Sequence, residues 1–135
     1  MKFKIILIVL AISISQTSIA QKREMTTYPL IMSFQSQCCG VPSDSALKIF
    51  MKAFKKQYKL KKITADHIGP MGREGEYYLA FRLKELNKKQ AADFIKKIKK
   101  LKKLNSDKGD WSFKEKETID PSTLPGRSSI NEEIF

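Results

Sequence analysis

The chain has 135 residues, of which 41% are hydrophobic and 30% charged, and 26 Lys and Arg against 14 Asp and Glu give a formal net charge of +12. Length and composition exclude a multidomain array and a wholly disordered polyelectrolyte, and two cysteines are too few for a disulfide-dense scaffold. One small basic domain remains, with a charge balance that favours anionic partners over cationic ones.

At the N-terminus, Lys2 and Lys4 precede an almost unbroken apolar run from Ile5 to Ile14, and Ser18-Ile19-Ala20 supplies small residues at the positions a signal peptidase reads. The run is shorter than the roughly 20 residues that span a bilayer. Residues 1–20 are therefore expected to be a signal peptide cleaved near Ala20, leaving a secreted or periplasmic protein. Residues 21–26 form a polar lead-in, residues 27–119 the folded domain and residues 120–135 a flexible C-terminal tail.

Tyr28, Leu30, Met32 and Phe34 alternate with Pro29, Ile31, Ser33 and Gln35, the period of a first strand with one buried face. Pro29 fits only near the start of that strand, since it cannot donate to the ladder. After Cys38-Cys39-Gly40, Pro42-Ser43-Asp44 supplies helix-start chemistry with Ser43 as N-cap. Leu47, Phe50, Met51, Phe54 and Tyr58 then fall at helical spacing, which predicts a helix over residues 44–58.

A shorter alternation around Ile63, Ala65 and His67 predicts a second strand, and Tyr77, Leu79, Phe81 and Leu83 a third. The turn from Gly69 to Gly75 joins them as a hairpin. It connects two strands instead of opening a helix, so it lacks the context of a nucleotide-binding loop. Asn87 and Gln90 form a variant capping box before a second helix with an apolar stripe of Ala91, Phe94, Ile95, Ile98 and Leu101. Trp111 and Phe113 mark a fourth strand.

Strand, helix, strand, strand, helix, strand is the βαββαβ order of a ferredoxin-like α+β sandwich, with a four-stranded antiparallel sheet and both helices on one face. Leu30, Met32, Phe34, Leu79 and Phe81 are then buried beneath the helices. Ile31, Ser33, Gln35, Tyr78, Ala80, Arg82, Ser112 and Lys114 form an open face, available to a protein partner or a second subunit.

Two chemistries stand out. Cys38, Cys39, His67 and Met71 gather at one end of this topology, and thiolate, thioether and imidazole ligands suit Cu(I) or Zn. The loop position resembles that of heavy-metal-associated domains, ferredoxin-like proteins that bind metal after the first strand through Met-x-Cys-x-x-Cys. Here the corresponding stretch is Gln35-Ser36-Gln37-Cys38-Cys39-Gly40, with no spacer between the cysteines. A vicinal disulfide or an intermolecular bridge giving a homodimer are the redox alternatives.

The second chemistry is polyanion or membrane-surface binding through Lys88, Lys89, Lys96, Lys97, Lys99, Lys100, Lys102 and Lys103. Sequence-specific nucleic-acid recognition is not expected, because Glu76 and Ile31 stand where stacking aromatics would be needed. The single histidine, His67, has Asp66 beside it on the opposite face of the strand. No complete catalytic constellation follows, and the expected function is binding rather than catalysis.

Overall fold

The computed structural model describes residues 24–101 and 109–135. The expected signal peptide lies outside them, as do Lys102 and Lys103. The elements in chain order are β1 (Thr26–Ser36), α1 (Ser45–Tyr58), β2 (Thr64–Gly69), β3 (Tyr77–Phe81), α2 (Lys88–Ile98), β4 (Gly109–Ile119), a 3-10 turn (Pro121–Thr123) and β5 (Ser129–Ile134). All strands join one antiparallel sheet in the order β4-β1-β3-β2-β5.

The sheet thus has five strands, not the expected four, and the stretch read as a flexible tail supplies the fifth. Ile68 pairs with Ile130 and Asp66 with Glu132. At the end of the ladder, Ile63 and Phe135 exchange both backbone hydrogen bonds, at 3.3 and 2.9 Å. The Phe135 ring packs against the main core, 6.3 Å from that of Phe81.

That core lies between the sheet and the helices. Leu30, Met32, Phe34, Leu79 and Phe81 meet Leu47, Met51 and Phe54 of α1 and Phe94 and Ile98 of α2. Phe94 is the pivot: its ring sits 5.2 Å from Phe54, 5.3 Å from Phe81 and 5.5 Å from Phe50. Helix α2 carries the predicted capping box, with Asn87 Oδ1 accepting from Gln90 N–H and Gln90 Oε1 accepting from Asn87 N–H. In α1 the cap is Asp44 and not Ser43, whose hydroxyl instead accepts from the Ser45 amide at 3.2 Å.

The face expected to be open is covered at its centre, whereas its residues Gln35, Arg82 and Lys114 are exposed. Strands β4 and β5 occupy opposite edges, so residues 120–128 must cross the sheet to join them. They cross on the side away from the helices, where Leu124 packs on the cluster of Tyr28, Ile31, Ile68, Ala80 and Ile119. Arg127 hydrogen-bonds the Gly72 carbonyl and Ser128 the Pro70 carbonyl, tying the end of this strap to the hairpin turn. Ile31, Ser33 and Ala80 are consequently buried.

The β1–β4 pairing keeps one register along its length but is interrupted by a break where Pro29 stands opposite Lys116, and Lys116 has φ +54°. Beyond that break Tyr28 turns to the strap side. Its hydroxyl donates to Asp66 Oδ2 at 2.6 Å, and the same oxygen accepts from Arg82 Nε at 2.9 Å and Nη2 at 2.6 Å. Asp66 is only 5% exposed, so these donors take the place of its lost water. Burial first, then the Asp66 hydrogen bond and charge, push the Tyr28 phenol up to about 12.

Tyr28→Phe should lower stability by about 1–3 kcal/mol in urea unfolding at neutral pH, because it removes a donor from a buried carboxylate. The phenol's folded pKa lies above its unfolded value near 10, so its contribution is complete below about pH 10 and is lost as pH rises toward about 12. The alkaline decline in stability should be shallower in the variant than in the wild type.

Candidate functional site

β1 ends at Ser36, and the following loop holds Cys38 and Cys39, both exposed. Cys39 has φ +59° and Gly40 φ +112°, so two successive left-handed residues turn the chain toward α1. Pro42 is buried behind the loop, and Asp44 pairs with Lys48 Nζ at 2.9 Å where the helix starts.

His67 and Met71 lie on opposite faces of the sheet. The His67 ring stacks on Tyr77 at 4.5 Å, Tyr77 stacks on Phe34 at 4.4 Å, and Phe34 meets Trp111 edge-on at 5.8 Å. These four rings form a row across β2, β3, β1 and β4 on the helix side. Burial, followed by the charges of Asp44 and Glu133, raises the Tyr77 phenol far above its usual value.

Met71 instead joins the strap-side cluster, with Ser128 Oγ 3.8 Å from its sulfur. With Ile31, Ser33, Tyr78, Thr123 and Leu124 it lines a cavity of about 240 Å³ between strap and sheet. The sheet therefore separates the imidazole of His67 from the thioether of Met71. Among the described residues, no three His, Cys, Asp or Glu side chains form a group able to hold a metal ion. Cys38, Cys39, His67 and Met71 share one end of the fold without converging as a Cu(I) or Zn ligand set.

The lysines are distributed more coherently. Residues 44–62 and 84–101, the two helices with their flanking turns, contain 14 lysines and three acids, Asp44, Glu85 and Asp93. Their excess of +11 (14 minus 3) is nearly all of the chain's formal net charge of +12. Both helices place lysines in their last turn, where the helix dipole favours positive charge.

Individual lysines differ in their surroundings. Lys88, Lys89, Lys96 and Lys100 are exposed. Lys97 bridges the helices: its ammonium lies 2.7 Å from Asp93, 3.0 Å from Gln57 and 5.9 Å from the ring centroids of both Phe54 and Tyr58. Its hydrogen bond to Asp93, joined by that of Tyr58, holds the Asp93 carboxyl below the usual range. Lys99 is engaged by Glu115 of β4. Lys97 and Lys99 thus also serve the fold, whereas Lys88, Lys89, Lys96 and Lys100 project a field into solvent.

On α1, Ile49, Lys52, Ala53 and Lys56 fall at helical spacing and all are exposed. Ile49 is 66% exposed, one of three large hydrophobic side chains so exposed among the described residues, with Met25 and Ile134, and the one that lies on a helix among lysines. The helical spacing of Leu47, Phe50, Met51, Phe54 and Tyr58 that predicts α1 passes over this residue. Its position outside the stripe of Leu47, Met51 and Phe54 is the signal that could have identified it.

Native alkylation should modify both cysteines without denaturant. His67→Ala should leave the response of the reduced protein to Zn(II) and Cu(I) titration unchanged, because the ring is committed to the Tyr77 stack. A large loss of affinity in that variant would contradict the separation described here.

Comparison with protein-family models, with curated proteins and with solved structures finds no match, so the functional reading rests on this geometry.

Proposed function

We propose that this chain is a non-catalytic binding domain whose two-helix layer docks on an anionic phospholipid bilayer. The observation that carries this reading is the localisation of the charge: 14 lysines against three acids on the helical layer, which leaves the rest of the chain with a formal charge of only +1 (12 minus 11). A charge spread merely for solubility would not need to avoid the other surfaces. Each Lys held near an anionic membrane surface contributes about 1 kcal/mol, so a few acting together suffice for docking.

Ile49 favours a bilayer over other polyanions. An exposed aliphatic side chain among lysines on one helical stripe is the pattern of a helix that rests in the headgroup region, with the apolar group reaching toward the acyl boundary. Among the described residues no helix is long and apolar enough to cross a membrane. Export through the N-terminal leader, which would place the domain outside the cytoplasm, belongs to the same proposal.

The β4-β1-β3-β2 order with two crossover helices supports a ferredoxin-like assignment, extended at one edge by β5. On that frame Cys38 and Cys39 carry a separate thiol-redox reading, supported by the exposure of both residues at one end of the sheet.

Co-sedimentation with vesicles tests the proposal. Binding should require anionic lipid, weaken by at least tenfold as salt rises from low to several hundred millimolar, and fall about fivefold for each of Lys88, Lys89, Lys96 and Lys100 replaced by Gln. Ile49→Ser should weaken binding without changing its salt dependence. Equal binding to zwitterionic and anionic vesicles, or a preference for nucleic acid over anionic vesicles, would overturn the reading.

A further inference from the structure

A groove of about 550 Å³ runs between α2 and β4, lined by Ala92, Ile95, Lys96, Lys99, Lys100 and Glu115. Its floor is apolar. Ala92 is exposed, and Ile95 is half-buried with its inner side packed on the main core. The rim carries three ammonium groups and one carboxylate. That carboxylate is already engaged, since Lys99 Nζ donates to Glu115 Oε1 across the groove.

The arrangement selects a ligand chemistry. Aliphatic carbon beneath lysine ammoniums suits a molecule that is apolar along its length and anionic at one end. The lysine stems add further methylene surface to the floor while their charges stay in water. A nucleic-acid or polysaccharide chain would leave Ala92 and Ile95 unused, and a neutral lipid would leave the ammoniums unused. The Lys99–Glu115 pair is nearly half exposed at both ends, with side-chain exposures of 44% and 42%, and exposed pairs of this kind are weak. An incoming anionic headgroup competes with Glu115 for Lys99 on favourable terms.

We infer that this groove holds the acyl chain of one anionic single-chain lipid, its headgroup set among Lys96, Lys99 and Lys100. The inference rests on the bilayer-surface reading and deepens it: docking by the lysine layer brings the groove to the source of its ligand.

Calorimetric titration of the full chain with octyl, decyl and dodecyl phosphate, each below its micellar concentration, tests it. Affinity should rise about two- to fourfold for every methylene added, and the matching alkyl alcohols should bind at least tenfold more weakly. Glu115→Gln should tighten binding about threefold to fivefold by releasing Lys99. Ala92→Glu, a change at an exposed helical position, should weaken it at least tenfold, and Lys100→Gln several-fold.

Affinity independent of chain length, or unchanged by Ala92→Glu in a protein of unaltered circular dichroism, would overturn the groove even if anionic vesicles still bind. Chain-length-dependent binding that is lost in Ala92→Glu, in a protein that ignores vesicles, would support the groove and remove the surface reading instead.

Discussion

Strands β4 and β5 stand at opposite edges of one sheet, and the residues between them have no route except across it. That constraint organises the molecule. It lays a strap over the face the helices leave bare and buries Ile31, Ser33 and Ala80. It also completes a second apolar cluster beneath Leu124 and Ile130. A four-stranded sheet would have been a two-layer sandwich with one wet side. With the strap in place the middle of the sheet is covered on both sides, and the surface left for recognition consists of the helix backs, the loop ends, the two edge strands and the rim of the strap-side face at Gln35, Arg82 and Lys114.

Polar groups follow the same division. On the strap side Asp66 is drawn inside and met by Tyr28 and Arg82, so charge is consumed within the fold. The helix side sends its charge outward, apart from Lys97 and Lys99, which tie the helices to each other and to β4. An inward-looking face and an outward-looking one give the chain a polarity that its composition alone does not convey. The edge strands are less inviting to a partner: β5 carries Glu132 and Glu133, and β4 alternates Lys114, Glu115, Lys116 and Glu117 with a left-handed residue in the run. Charges and twist of this kind blunt edge-to-edge pairing.

Much of the fold was legible because hydrophobic period and capping chemistry agreed. Leu30, Met32 and Phe34 declared β1, Leu79 and Phe81 declared β3, and Asn87 with Gln90 located the start of α2. The fifth strand was not legible. Ser129-Ile130-Asn131-Glu132-Glu133-Ile134 spaces its two isoleucines four apart around polar residues, because an edge strand needs few anchors and β2 supplies its ladder from the other side. Nor could alternation place Tyr28, since beyond the interruption of the ladder at Pro29 and Lys116 it lies on the opposite face.

The candidate sites divide the same way. The lysine layer could be read from sequence because helical spacing alone sorts its residues from the core. Grouping His67 with Met71 depended on loop proximity and failed on facing, as the hairpin carries one to the helix side and the other to the strap side. The groove between α2 and β4 joins elements distant in sequence, so no local pattern announces Ala92 and Glu115 as neighbours of one space.

The proposed working surface is the helical layer, and not the sheet or its strap. Lysine-directed labelling read by mass spectrometry, with and without anionic vesicles, tests it most directly. Vesicles should protect Lys52, Lys56, Lys88, Lys89, Lys96 and Lys100 while Lys114, on the strap side of β4, keeps its reactivity. Uniform protection, or protection centred on Lys114, would contradict it.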